Sequence, residues 1–404
     1  MERFISLIGL FVMVAIAYCL SSDRKKINWR TVISGVVLQL FLGLFILKTS
    51  FGVALFEGAR TFFTSILSYT NEGSLFIFGP LMDQSKFGFI FFVMVLPTII
   101  FMSSLMSVLY HFGFMQIIIS LTAKVMVKLM GTSGAESLSA AANIFAGQTE
   151  APLVVKPFIA KMTNSELMAL MSGGMATVAG GVLAAYVGMG IDAGHLLAAS
   201  VMSAPAALVC AKLLVPETEV PETKGIVDIK LPRAHVNVID AASAGAGEGL
   251  KLALNVGAML LAFIALIALV NGILGYFGGL LSFPNLSLEL IMSYAFAPVA
   301  FLLGVPSADV LAVGSLLGKK LVINEFVAYM DLQTMLGSMS ERAVTISTYA
   351  LCGFANFSSI AIQVGGIGTI EPSRRQDLAK LGFRSLIGGT LACFMTAAIA
   401  GLLI

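Results

Sequence analysis

Apolar runs of about twenty residues recur along this chain, the length a helix needs to cross a hydrocarbon core of about 30 Å. They cover residues 4–21, 31–48, 88–110, 166–190, 194–214, 250–275, 342–364 and 381–403. Only 11% of the residues are charged, where a soluble domain carries about 25%. The mean hydropathy is +0.96. The fold class expected is an all-α polytopic membrane protein with eight transmembrane helices.

Charge sets the orientation. The first run is followed, not preceded, by Arg24, Lys25, Lys26 and Arg30, which argues for a retained span over a cleaved leader. Positive-inside logic puts that cluster in the cytoplasm and the N-terminus outside. The same alternation brings the 215–249 linker (with Lys212, Lys224, Lys230, Arg233 and Lys251 on or beside it) and the 365–384 loop (Arg374, Arg375, Lys380, Arg384) to the inner side. Residues 49–87, short apolar pieces between charges, read as an outer loop with interfacial segments. The basic residues are dispersed, so no nucleic-acid partner is expected. Cys19, Cys210, Cys352 and Cys393 have no CxxC spacing, and His111, His195 and His235 form no ligand pair, so metal and redox chemistry are not indicated. Gly245-Ala-Gly-Glu-Gly249 is like part of a phosphate loop, but no strand precedes it and its spacing is wrong.

Two segments, 131–161 and 304–338, have short apolar arms around a polar break. Arms of about ten residues cannot cross the core, so they read as re-entrant hairpins buried in protein or lining a cavity. Each carries a carboxylate in apolar surroundings, Glu150 and Glu325. Such a group costs roughly 2.5–3.5 kcal/mol at bilayer depth and marks a cavity, partner or ligand. The hairpins open alike, Gly131-Thr-Ser-Gly-Ala-Glu136 against Gly304-Val-Pro-Ser-Ala-Asp309. Aligning the two glutamates also aligns Ser165-Glu166 with Ser340-Glu341, and each following span has a polar interruption, Thr177-Val-Ala-Gly-Gly181 or Gly353-Phe-Ala-Asn-Phe-Ser-Ser359. Inverted repeats with broken helices at matching places are the signature of secondary transporters, with substrate and ion near the midplane.

Gly147-Gln-Thr-Glu-Ala-Pro152, Asn324-Glu-Phe-Val-Ala328 and Gly353-Phe-Ala-Asn356 with Ser358-Ser359 resemble motifs of the concentrative nucleoside transporters, and the resemblance covers nearly the whole chain. It implies a homotrimer in which a scaffold holds a mobile domain of hairpins and broken helices. It also implies that the first hairpin holds the base while Glu325, Asn356 and Ser359 hold the ribose. The residue chemistry is compatible. Gln148 offers an amide donor and acceptor to a base edge, and Thr149 and Glu150 extend that polar face. Glu325 can accept two sugar hydroxyls while Asn356 donates back, Ser359 adds a hydroxyl, and Phe354 or Val182 can pack on a flat face. For a hard cation such as Na⁺ an oxygen cage is needed. Asn143, the Thr177 hydroxyl and the carbonyls of Ala146, Thr177 and Val178 offer one, where such sodium-coupled transporters carry Asn and a hydroxyl.

The organisation expected is three scaffold spans and an interfacial helix in 1–130, a first transport repeat in 131–214, a linker, sixth span and interfacial helix in 215–303, and a second transport repeat in 304–404. The function expected is Na⁺-driven nucleoside uptake across a bacterial inner membrane, with Na⁺ as coupling ion and no cofactor. A proton-coupled carrier is the nearest alternative and a channel the alternative of another class. An intramembrane enzyme would need a nucleophile with a base, or a metal cluster, and neither is evident.

Overall fold

The structure is a computed structural model describing residues 1–225, 235–280, 283 and 285–404, with Gln84 as backbone. Lys230 and Arg233 lie outside the described residues. Among these, seven helices are long and apolar enough to span a membrane: Glu2–Cys19, Trp29–Lys48, Phe91–His111, Asn164–Gly188, Ala193–Leu214, Val238–Leu280 and Pro372–Leu403, some including short turns or breaks. The remaining expected span, the seventh, is split into Glu341–Leu351 and Phe357–Ile370. Neither half alone would have the length to cross.

Three expectations need correction. Residues 49–87 are not mainly loop: Ser50–Ser68 and Thr70–Phe78 are helices, the first capped by Thr49 accepting from the Gly52 N–H. Helix satisfies the backbone of an apolar piece whether or not the piece is long enough to cross. The sixth span begins at Val238, well inside the supposed linker. Its early part is rich in Gly and Ala and carries Asp240 and Glu248, so hydropathy misses it, but packing explains it. A Cβ on Gly245 would lie 2.6 Å from the Ser103 carbonyl oxygen, and one on Gly249 2.8 Å from the Ile100 Cα. The run that looked like a phosphate loop is instead the face on which two helices make close contact. Third, the Ser-Glu pairs match in register but not in capping role. Thr163 caps the first broken helix and makes a capping box with Glu166, whereas Ser340 is itself the cap of the second. The two broken helices do end in register, at Thr177 and Cys352.

Both hairpins form. The first has Gly134–Ala142, a non-helical tip, then the short turns Ala151–Val154 and Lys156–Ile159, each with a proline near its start. The second has Val310–Val322 and Glu325–Met335. The glycines that open them, Gly131 and Gly304, have φ of +70° and +83°, a conformation that disfavours a side chain. Each hairpin start is tied to the start of its broken helix: Ser133 Oγ donates to Glu166 Oε1 (2.6 Å), and Ser340 Oγ to Asp309 Oδ2 (2.6 Å). Beside the first tie, buried Lys212 pairs with Glu136 (2.6 Å) and Glu217 (3.2 Å). Thr223 then closes the hairpin helix, its carbonyl accepting from the Gly134 N–H (2.9 Å) and its hydroxyl from the Ala135 N–H (3.0 Å).

Residues 164–214 and 375–403 are largely buried, while many apolar side chains of Val238–Leu280 and the first two spans face outward. An apolar exterior around a packed interior is what lipid solvation allows.

Candidate functional site

The two hairpin tips, the two helix breaks and the sixth span surround one cavity of about 420 Å³. Gln148, Thr149, Glu150, Val182, Glu325, Phe354, Asn356 and Ser359, the eight residues expected to contact substrate, all line it. They come from both repeats. The breaks interlock through the Phe354 N–H, which donates to the Thr177 carbonyl (3.2 Å), and the first break is tied to the first tip by the Gly180 N–H donating to the Phe145 carbonyl (2.9 Å). A Cβ on Gly353 would sit 2.8 Å from the Met175 carbonyl oxygen, so the second break needs glycine to approach the first.

At one end of the cavity Glu325 is buried, with Tyr186 donating to Oε1 (3.0 Å) and the Asn356 amide to Oε2 (3.0 Å). Asn356 also caps Phe357–Ile370, its Oδ1 accepting from the Ser359 N–H (2.9 Å) and the Ser358 hydroxyl (2.7 Å). Its amide is thereby oriented with the donor toward Glu325. The carboxylate is held in place yet keeps further acceptor capacity for hydroxyls. One turn along the same helix the Ser359 hydroxyl accepts from the Gln148 amide (3.1 Å), and Gln363 donates to Gln148 Oε1 (3.1 Å) and to the Met171 carbonyl (3.0 Å). This fixes which way Gln148 faces. Glu150 is open to the cavity and accepts from the Gly147 N–H (3.1 Å).

Sequence reasoning missed several members. Tyr186 and Gln363 orient the site residues from behind, and Glu248, Lys251 and Asn255 of the sixth span line the opposite wall. Asn356, Ser359 and Gln363 are spaced as one helical face on an otherwise apolar segment, so Gln363 had a signal in its spacing. Of the sixth-span residues, Glu248 was hidden because that helix was read as starting later, whereas Lys251 and Asn255 lie within the expected span and were passed over.

Asn143, Ala146, Thr177 and Val178 are all buried just behind the first tip. The Asn143 amide donates to the Ser139 carbonyl (3.0 Å), and its Oδ1 has no hydrogen-bond partner among the described residues. The Thr177 hydroxyl donates to the Gly173 carbonyl (3.0 Å), leaving its lone pairs as acceptors. Gly173 packs closely on Asn143, a Cβ there falling 3.0 Å from Nδ2. A buried amide oxygen without a donor is costly, and a cation is a fitting occupant. No cluster of three His, Cys, Asp or Glu suited to a metal occurs among the described residues.

Models of the Na⁺ dependent nucleoside transporter N-terminus and C-terminus match residues 8–81 and 195–401, and a nucleoside-recognition gate model matches 92–193. The nucleoside permease NupC of Helicobacter pylori is 45% identical over 99% of this chain and 97% of its own length. The chain belongs to the concentrative nucleoside transporter family. An uncharacterized transporter of Bacillus subtilis, YutK, is 49% identical over 98% of both chains. Solute carrier family 28 member 3 of Mus musculus is 43% identical over all of this chain and 59% of the mouse protein. The solved structure of CNTnw in an inward-facing substrate-bound state superposes with a TM-score of 0.95 at 47% identity, covering 100% of this chain and 98% of the other. This concentrative nucleoside transporter is thus a multi-pass membrane carrier and not an enzyme.

Proposed function

We propose that the protein couples inward Na⁺ flow to nucleoside uptake across a bacterial inner membrane, with its N-terminus outside and three copies per assembly. The observation that carries the reading is the orphaned Asn143 oxygen directly behind a tip whose next residues line the cavity. An ion held by Asn143, the Thr177 hydroxyl and nearby carbonyls of Ala146, Thr177 and Val178 would brace the first tip against the first helix break. That bracing would set Gln148, Thr149 and Glu150 for the base. Glu325, Asn356 and Ser359 would take the ribose hydroxyls, and Phe354 and Val182 would pack on the flat faces. Binding of ion and substrate would then be mutually favourable, as linkage requires.

The driving force is adequate. One charge moving through ~100 mV releases about 2.3 kcal/mol, and a roughly tenfold gradient adds about 1.4 kcal/mol. Together these sustain a few-hundred-fold accumulation, roughly, for one ion. The test is uptake into proteoliposomes under separately imposed Na⁺ and pH gradients. Uptake should follow Na⁺, and Asn143→Ala should raise the Na⁺ concentration for half-activation about tenfold or more, by loss of one charged-group contact, without changing nucleoside preference. Uptake that follows a pH gradient and ignores Na⁺ would overturn the ion assignment.

A further inference from the structure

Where the first repeat places Asn143, the second repeat carries a charge close by. With Glu150 set on Glu325, Asn143 corresponds to Gly318, Phe145 to Lys320 and Thr177 to Cys352. The correspondence is structural at the break, since Thr177 and Cys352 are the residues that end the two broken helices. In the first repeat this neighbourhood holds an amide oxygen lacking a donor. In the second it is filled.

Gly318 supplies no side chain and has no room for one: its Cβ would fall 2.5 Å from the Met292 Cβ. Lys320 is 1% exposed, and its ammonium donates to the Ala350 carbonyl (2.7 Å) in the last turn of the second broken helix. The other carbonyls of that helix end are also engaged. Thr348 accepts from the Tyr329 hydroxyl, Tyr349 from the Cys352 N–H, Leu351 from the Gly353 N–H and Cys352 from the Cys393 thiol. Among the described residues no carboxylate comes within ion-pair distance of Lys320, and its nearest oxygen partner is the carbonyl. A cation facing the carbonyls of a helix C-terminus is stabilised by the helix dipole, which is also how an unwound helix end holds a free ion.

We propose that Lys320 is a tethered cation occupying, in the second repeat, the place that Na⁺ takes in the first. The second helix break is then braced permanently, the ribose end of the cavity is preset without an ion, and one Na⁺ per nucleoside is the stoichiometry built into the fold. This rests on the Na⁺ reading of Asn143 given above.

The experiment measures ²²Na⁺ binding to purified protein and Na⁺-activated uridine uptake in proteoliposomes for wild type, Asn143→Ala, Lys320→Met and Lys320→Arg. Wild type should saturate at one Na⁺ per protomer, and Asn143→Ala should bind it about tenfold or more weakly. Lys320→Met should lose about tenfold or more in uridine affinity at low Na⁺, the scale of one charged hydrogen bond, and regain it as Na⁺ rises. Its Hill coefficient for Na⁺ should climb from about one towards two, while Lys320→Arg stays at about one. A folded Lys320→Met with unchanged affinity and Hill coefficient, or one whose loss Na⁺ never restores, overturns the proposal. Should Lys320→Met not fold, the wild-type binding number decides: two ions per protomer overturns it. A wild type that binds no Na⁺ sinks the coupling reading itself, whereas one bound ion with an indifferent Lys320→Met sinks only the tethered cation.

Discussion

At the scale of single residues, the site depends on groups that orient one another before any ligand arrives. Glu325 receives one donor on each oxygen, from Tyr186 and Asn356. Glu325→Gln has one oxygen for those two donors and lacks the charge that strengthens hydroxyl contacts. Loss of about 1.5–3 kcal/mol in riboside binding is expected, measured by competition uptake, while a ligand without ribose hydroxyls should be nearly unaffected. Equal losses for both ligands would remove Glu325 from the sugar contact. Gln363→Ala should weaken base recognition by about 1 kcal/mol, the worth of one neutral hydrogen bond, because Gln148 then loses the donor that fixes its orientation. The motif residues themselves were legible in the sequence because a carboxylate or amide inside an apolar run is conspicuous. Tyr186 and Gln363 were not, since a buried tyrosine or glutamine is usual in any core and only the fold shows which neighbour it faces.

At the scale of elements, close packing and buried charge decide where helices begin and how the hairpins are fixed. Gly245 and Gly249 let Val238–Leu280 lie against the third span at a distance no side chain would permit. Gly249→Leu should therefore cost about 1–3 kcal/mol through overpacking, read as a fall in thermal midpoint in detergent, with the sixth-span wall of the cavity displaced. Lys212→Met leaves Glu136 buried beside Glu166 without its cation. Breaking such a pair costs about 3–5 kcal/mol, so the first hairpin should become sensitive to proteolysis before the rest unfolds. Spans were legible from hydropathy to within about two turns, except at the start of the sixth, where Gly, Ala and two carboxylates dilute it. There the helix is stabilised by intimate contact with a neighbour, information a single run of sequence does not contain. The Ser-Glu match gave the register correctly but not the helix starts, because Thr163 caps the first helix two residues earlier than Ser340 caps the second.

For the whole molecule, the cavity has one wall from the hairpins and broken helices and another from the sixth span. Such an arrangement suits alternating access in which residues 131–214 and 304–404 move as a unit past the first, second, third and sixth spans. Cys19 is exposed and the other three cysteines are buried, so a Cys19→Ser background is suited to labelling. Ala146→Cys on it should react with an impermeant reagent from outside in one state and from inside in another, with Na⁺ and nucleoside shifting the balance. Identical reactivity from both sides under every ligand condition would argue for a static pore.

The clamp of Thr223 on the first hairpin also has a bearing on biosynthesis. Ala135 and the threonine hydroxyl that receives its N–H are 88 positions apart. At a synthesis rate of about 5–20 residues per second, the ribosome takes roughly 4–18 s to bridge that interval. Until then the leading amides of Gly134–Ala142 have no such acceptor, even though every apolar residue of the hairpin is already made. The hairpin thus gains its fixed position only after the fifth span and the segment beyond it have emerged. A nascent chain arrested shortly before Thr223 should hold its first hairpin in a protease-sensitive form, and release of about ten further residues should protect it.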